Sequence, residues 1–212
     1  LMAGEYIRDK SIVLEKCTKS YPFIAAVADG MGGYAAGDVA SETALRGLEK
    51  KLTGLSSATW INEKKACDKI TEIITDLHFK ILDLSNENSK MEKMGNTLTG
   101  IAIGAPGIIY MFHVGDTRLY HFQKGILNQL SRDHSIKSET NISFSSNALV
   151  NAMGGGGEKL YVDFHQISDK VHEGDLLLLS SDGLHEMVSD NEVAEVLNMD
   201  ASLKEKEQLL LQ

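Results

Sequence analysis

Proline and cysteine are scarce in this chain, with two of each in 212 residues. So little proline argues against a disordered, linker-like polymer. The cysteines, Cys17 and Cys67, are far apart, and neither belongs to a CxxC pair or a His/Cys cluster. Two reduced thiols are therefore expected, rather than a disulfide or a zinc site. Basic residues are also in deficit, giving a formal net charge of −9. That excess of acid disfavours nucleic acid and anionic membrane surfaces as partners. No apolar run approaches the length of a membrane span, and the start "LMAGEYIRDKS" lacks the basic and apolar regions of a signal peptide. A cytoplasmic, monomeric protein is the resulting expectation. A hydrophobic content of 42% is ordinary for a globular protein, and one domain over residues 1–212 is the natural reading of the length.

Patterning divides the chain into three textures. "SIVLE" (11–15) and "FIAAVAD" (23–29) read as strands around a turn with Pro22. Apolar spacing then predicts a helix after Asp38, through Leu45, Leu48 and Leu52, and a longer one over 61–85 through Ile70, Ile74, Leu77 and Ile81. From residue 96 onward, short β-rich runs alternate with Gly-containing breaks at 104–107, 115–116 and 124–125, as in an antiparallel meander. "KLYVDFHQI" and "DLLLLSSDG" add strands; "NEVAEVLNM" and "SLKEKEQLLLQ" read as helices. This order is α+β, without the strict alternation of a parallel sheet.

Three aspartates share one setting. "AAVADG", "YMFHVGD" and "LLLLSSDG" each run a hydrophobic strand into Asp beside Gly, at Asp29, Asp116 and Asp182. A single Asp–Gly is ordinary turn chemistry. A carboxylate at the end of a buried strand otherwise needs a hydrogen-bond donor or a cation. Three converging on one sheet edge would suit a hard ion, Mg²⁺ or Mn²⁺, bound through oxygen. The glycines would let backbone approach, so that the Gly30 carbonyl could join. A dinucleotide loop is the competing reading of "GMGGYAAG", but its spacing is not G-x-G-x-x-G and the downstream order is a meander.

The pieces "VADGMGG" (27–33), "GNTLTG" (95–100), "HVGDTRLY" (113–120), "LSRDHS" (130–135), "NALVNAMGG" (147–155) and "LLLSSDGLHEMVSD" (177–190) occur in that order. Together they resemble the type 2C metal-dependent serine/threonine protein phosphatases of bacterial type. The resemblance implies a four-layer αββα sandwich, two antiparallel sheets flanked by helices. It also implies a centre of two Mn²⁺ or Mg²⁺ ions, with a third in bacterial relatives. Asp29 would bridge both ions with the Gly30 carbonyl beside it, Asp182 would hold the first, and Asp116 with Asp182 the third. Asp9 would act through metal-bound water. Hydrolysis would follow from a water bridging the two ions and attacking phosphorus in line. The partner implied is a phosphorylated protein, in opposition to a serine/threonine kinase.

The chain also departs from that pattern. Gly4 stands where relatives place a phosphate-contacting Arg, and Ile7 replaces an Asn. Arg8 is a weak candidate for that contact: it adjoins Asp9, and neighbouring strand residues point to opposite faces, so an exposed Arg is the expected role and the phosphate-binding residue is not identified. Met31 stands where animal members often carry His, as bacterial members commonly do. His134 is expected to tie down a loop, His113 to be a strand residue, and His185 to cover the rim. Only "IKSETNISFSS", eleven residues, separates "RDHS" from "NALVNAMGG", so the flap over the site is expected to be short. The family's closing Asp–Asn strand is not found before Gln212, so the last strand is expected to be missing. These departures sustain a second reading, a catalytically weak or inactive phosphatase-like regulatory binding module.

Overall fold

The computed structural model describes residues 2–3, 21–136 and 148–212. The expected strand 11–15, Cys17, Gly4, Ile7, Arg8 and Asp9 lie outside the described residues. Strand β1 (Met2–Ala3) pairs with β2 (Phe23–Val27), which leads through β3 (Gly30–Met31) into helix α1 (Tyr34–Thr53). A single turn, α2 (Ser57–Trp60), precedes the long helix α3 (Glu63–Glu87). Then follow β4 (Gly95–Asn96), β5 (Leu98–Ala105), β6 (Ile108–Val114), β7 (Arg118–Gln123), β8 (Ile126–Gln129), β9 (Met153–Gly154), β10 (Asp163–Gln166) and β11 (Leu176–Ser180). A helical turn, α4 (Asp182–His185), and helices α5 (Asp190–Asn198) and α6 (Leu203–Leu210) complete the order.

Side-chain alternation builds the layers. In β2, Ile24 and Ala26 face one way with Leu98 and Ala102 of β5 and Tyr110 and Phe112 of β6, under Leu45 and Leu48 of α1 and Ile70 and Ile74 of α3. Phe23, Ala25, Ile101 and Met111 face the other way and meet Leu119 of β7 and Leu177 and Leu179 of β11. Leu176 and Leu178, the alternate residues of β11, turn instead to Val193 and Leu197 of α5. The order is thus helices, sheet β1-β2-β5-β6-β10, sheet β11-β7-β8, helices. This is the expected αββα sandwich, and the "LLLL" run is explained: a strand covered on both faces needs no polar positions. Among the described residues β11 pairs only with β7.

Three features differ from the expectations. Helix α1 begins at Tyr34, ahead of Gly37, although glycine disfavours a helix interior. The reason is tertiary: Gly37 lies back to back with Gly30, and a Cβ on Gly37 would sit 2.7 Å from the Gly30 carbonyl carbon. The strand expected over 159–167 shortens to Asp163–Gln166. A third sheet, β3-β4-β9, joins strands of two residues each and sets "DGMGG", "GNTLTG" and "NAMGG" side by side. Cys67, on α3, is a free thiol as expected. Among the described residues no helix is long and apolar enough to cross a membrane.

Candidate active site

Asp29, Asp116 and Asp182 each stand two residues beyond the end of a strand: β2 ends at Val27, β6 at Val114 and β11 at Ser180. The first two strands run parallel, each antiparallel to β5 between them, so they end on the same side. The third belongs to the other sheet. The aspartates therefore meet across one end of the sandwich and not along one sheet edge, which corrects that expectation. Asp182 also opens a helical turn, with Ser181 before it, where the exposed amides favour a negative charge.

The carboxyl groups of Asp29 and Asp182 are close enough to interact directly, and Asp116 lies near enough for its charge to reach Asp29 and to feel that of Asp182. Burial, then the nearness and charge of Asp182, then the charge of Asp116 push the Asp29 pKa up to about 6. Burial and the charges of Asp182, Asp133 and Glu186 push Asp116 up to about 6 as well. Carboxyls this crowded share a proton or a cation. The donors are all oxygen and fit a hard divalent ion. Among the described residues no group of three His, Cys, Asp or Glu is already gathered in ligating positions. What the fold supplies is one carboxyl pair with a third carboxylate beside it.

Backbone contacts hold this arrangement. The Asp29 amide donates to Thr97 Oγ1 at 3.1 Å, and the Thr97 amide donates to the Asp29 carbonyl at 2.9 Å. Gly30 pairs with Asn96 in the small sheet, and Met31 pairs with Gly95. On the far side of Asp116, Arg118 forms a two-pronged ion pair with Asp133, Nε to Oδ1 at 3.0 Å and Nη2 to Oδ2 at 2.6 Å. Its Nη1 donates to Tyr120 Oη, which donates to Asp190. Burial opposes the Asp133 charge, but the Arg118 bonds outweigh it and leave the pKa below the usual carboxylate range.

Two of the histidines in the matching pieces, His113 and His134, are engaged through both ring nitrogens. His113 Nε2 donates to the Arg132 carbonyl at 2.9 Å, which leaves Nδ1 to accept from Thr99 Oγ1 at 2.8 Å. Burial first, and His134 second, lower its pKa to about 4. The folded state thus binds fewer protons at this site than the unfolded chain does below pH 6.5. Stability present above pH 6.5 should be lost as pH falls toward 4. Thermal midpoints across that range should fall more steeply for the native chain than for His113→Gln, which keeps a donor at the Nε2 position; parallel profiles would refute this. His134 is buried and joins two loops, as expected. His185, on α4, feels the charges of Arg118, Asp133 and Asp182, and burial followed by the Arg118 charge lowers its pKa.

Thr97, Thr99, Arg118 and Asp133 complete the surroundings of the site, and sequence patterning alone does not single them out. Their one signal is membership in the matching pieces; their roles depend on partners up to 68 residues away.

Two stacked antiparallel sheets with helices outside, and aspartates brought together from both sheets at one end, are the features to set beside known proteins. The profile of the protein phosphatase 2C family matches residues 7–209, and the chain belongs to that family. It is 35% identical over 201 residues to the serine/threonine phosphatase stp of Listeria monocytogenes, covering 86% of this chain and 75% of the relative. Identity to the protein phosphatase PhpP of Streptococcus pneumoniae is 28% over 203 residues, covering 87% and 76%. Among solved structures, the Streptococcus agalactiae serine/threonine phosphatase superposes with a TM-score of 0.77 at 28% identity, covering 91% of this chain and 81% of that one. The catalytic domain of the serine/threonine protein phosphatase PstP, solved with two manganese ions, gives 0.72 at 26% identity, covering 96% and 86%.

Proposed function

We propose that this chain hydrolyses phosphoserine and phosphothreonine in proteins with the help of two divalent cations, Mn²⁺ or Mg²⁺. The observation that carries the reading is the meeting of Asp29 and Asp182 from different sheets, with Asp116 beside them. In this reading Asp29, the Gly30 carbonyl and Asp182 would hold the two ions, Asp116 with Asp182 would hold a third, and Asp9 would act through a bound water. When bound, such ions supply a nucleophilic water at neutral pH and offset charge on the phosphoryl oxygens. The chain's own part is to hold these carboxylates rigidly, which Thr97 does for Asp29 by bonding its amide and its carbonyl. Arg8 is only a weak candidate for the phosphate contact. The protein would act as a single-domain monomer in the cytoplasm and reverse the work of a serine/threonine kinase.

The regulatory-module reading is favoured by Gly4 at the phosphate-contacting position. Turnover separates the two. Phosphate release from a phosphothreonine peptide should appear with Mn²⁺, vanish with EDTA and return when Mn²⁺ is restored. No release above background at saturating Mn²⁺ would leave the binding module as the function.

A further inference from the structure

His134 is almost fully buried, at 2% exposure, yet every polar group it carries is engaged. Its Nε2 is 3.1 Å from Asp163 Oδ2, which fixes the proton on that nitrogen and leaves Nδ1 as an acceptor. Nδ1 then accepts from the Gly115 amide at 3.1 Å and from Asn151 Nδ2 at 2.8 Å. The His134 amide in turn donates to the Gly115 carbonyl at 2.7 Å. Gly115 is thus held at both its amide and its carbonyl by one residue, 19 positions away. It needs that grip: its φ is +104°, and a Cβ there would lie 2.6 Å from the Thr97 methyl group. Asp116 is the next residue, and Thr97 is the one that clamps Asp29.

We propose that His134 is a positioning residue for the cation centre: its side chain and backbone hold the Gly115–Asp116 turn where Asp116 faces Asp29 and Asp182. The inference rests on the reading of Asp116 as a cation ligand. Asp163 sets the tautomer, and Asn151, which also donates to the Tyr161 carbonyl at 2.8 Å, carries the "NAMGG" piece into the same grip. A histidine suits this place because a neutral ring offers one donor and one acceptor on opposite sides.

Mn²⁺ affinity, measured by titration calorimetry on the full chain, tests this independently of turnover. His134→Ala should weaken Mn²⁺ binding about 10- to 100-fold, the range for losing support behind a ligand. His134→Asn, which places an amide oxygen near the Nδ1 position, should recover most of that loss. Asp116→Asn should weaken binding too, and adding His134→Ala to it should cost little more, because both changes act on the same ligand. A purely structural role would instead make the two losses additive and give His134→Asn no advantage. Should His134→Ala fail to fold, Asp163→Ala keeps the ring but frees its tautomer, and several-fold weaker Mn²⁺ binding is expected. Unchanged affinity in the folded His134 or Asp163 variants overturns the inference, as does unchanged affinity in Asp116→Asn. Native affinity for Mn²⁺ without phosphopeptide turnover would overturn the proposed activity and leave the positioning role standing.

Discussion

Asp182→Ala should abolish Mn²⁺-dependent release of phosphate from a phosphothreonine peptide, with a loss of roughly 10³-fold or more. Asp182 acts on both of the other carboxylates. It lies beside Asp29, and its proximity raises the pKa of Asp29 and of Asp116. Its removal would leave Asp29 and Asp116, from distant parts of the chain, without the carboxylate proposed to hold the ions with them. The fold should survive, because Asp182 begins a short turn beyond β11 and supports no buried apolar contact. Without a cation, deleting one of three crowded carboxylates relieves repulsion, so the metal-free thermal midpoint should stay level or rise. Single-turnover assays over a Mn²⁺ series, paired with melting curves, check both halves. Retained activity at ordinary Mn²⁺ concentrations would remove Asp182 from the centre.

Gly30→Ala should be the most damaging substitution of a residue without a functional side chain. The added Cβ would overlap the carbonyl oxygen of Gly37, and backbone stands on both sides of the contact. No flexible side chain can yield, so β3 must separate from α1. Overpacking of this kind costs about 3 kcal/mol. For a chain of this size the thermal midpoint should drop by roughly 6 to 12 °C. The displacement also moves the Gly30 carbonyl, so Mn²⁺ binding should weaken beyond what stability alone explains. Gly33→Ala is the control: a Cβ there meets nothing within 4 Å, although its φ of +92° adds backbone strain. A small stability loss at Gly30, no greater than at Gly33, would show that the two backbones can part freely.

Much of this protein follows from local pattern. The helical stripes at Leu45, Leu48, Ile70 and Ile74 mark α1 and α3, because a helix covering a sheet must repeat apolar residues near 3.6 positions. The apolar runs of β2, β5 and β6 mark strands buried on two faces, and Asp–Gly pairs mark where chain direction changes. That punctuation identifies Asp29, Asp116 and Asp182, and the ordered motifs identify the family.

Other features depend on contacts between distant segments. The sheet β3-β4-β9 has strands too short to leave a periodic trace, yet it carries Gly30. The start of α1 before Gly37 comes from close packing against Gly30, which outweighs the helix penalty of glycine. That the aspartates span both sheets, and that Asp29 and Asp182 come close enough to interact, results from how the sheets stack. The amino-acid sequence alone determined which residues are acidic, that three hydrophobic runs lead into Asp29, Asp116 and Asp182, and which family the chain resembles. Only the tertiary structure decided which carboxylates meet and what holds them, because desolvation and charge repulsion act through space and not along the chain.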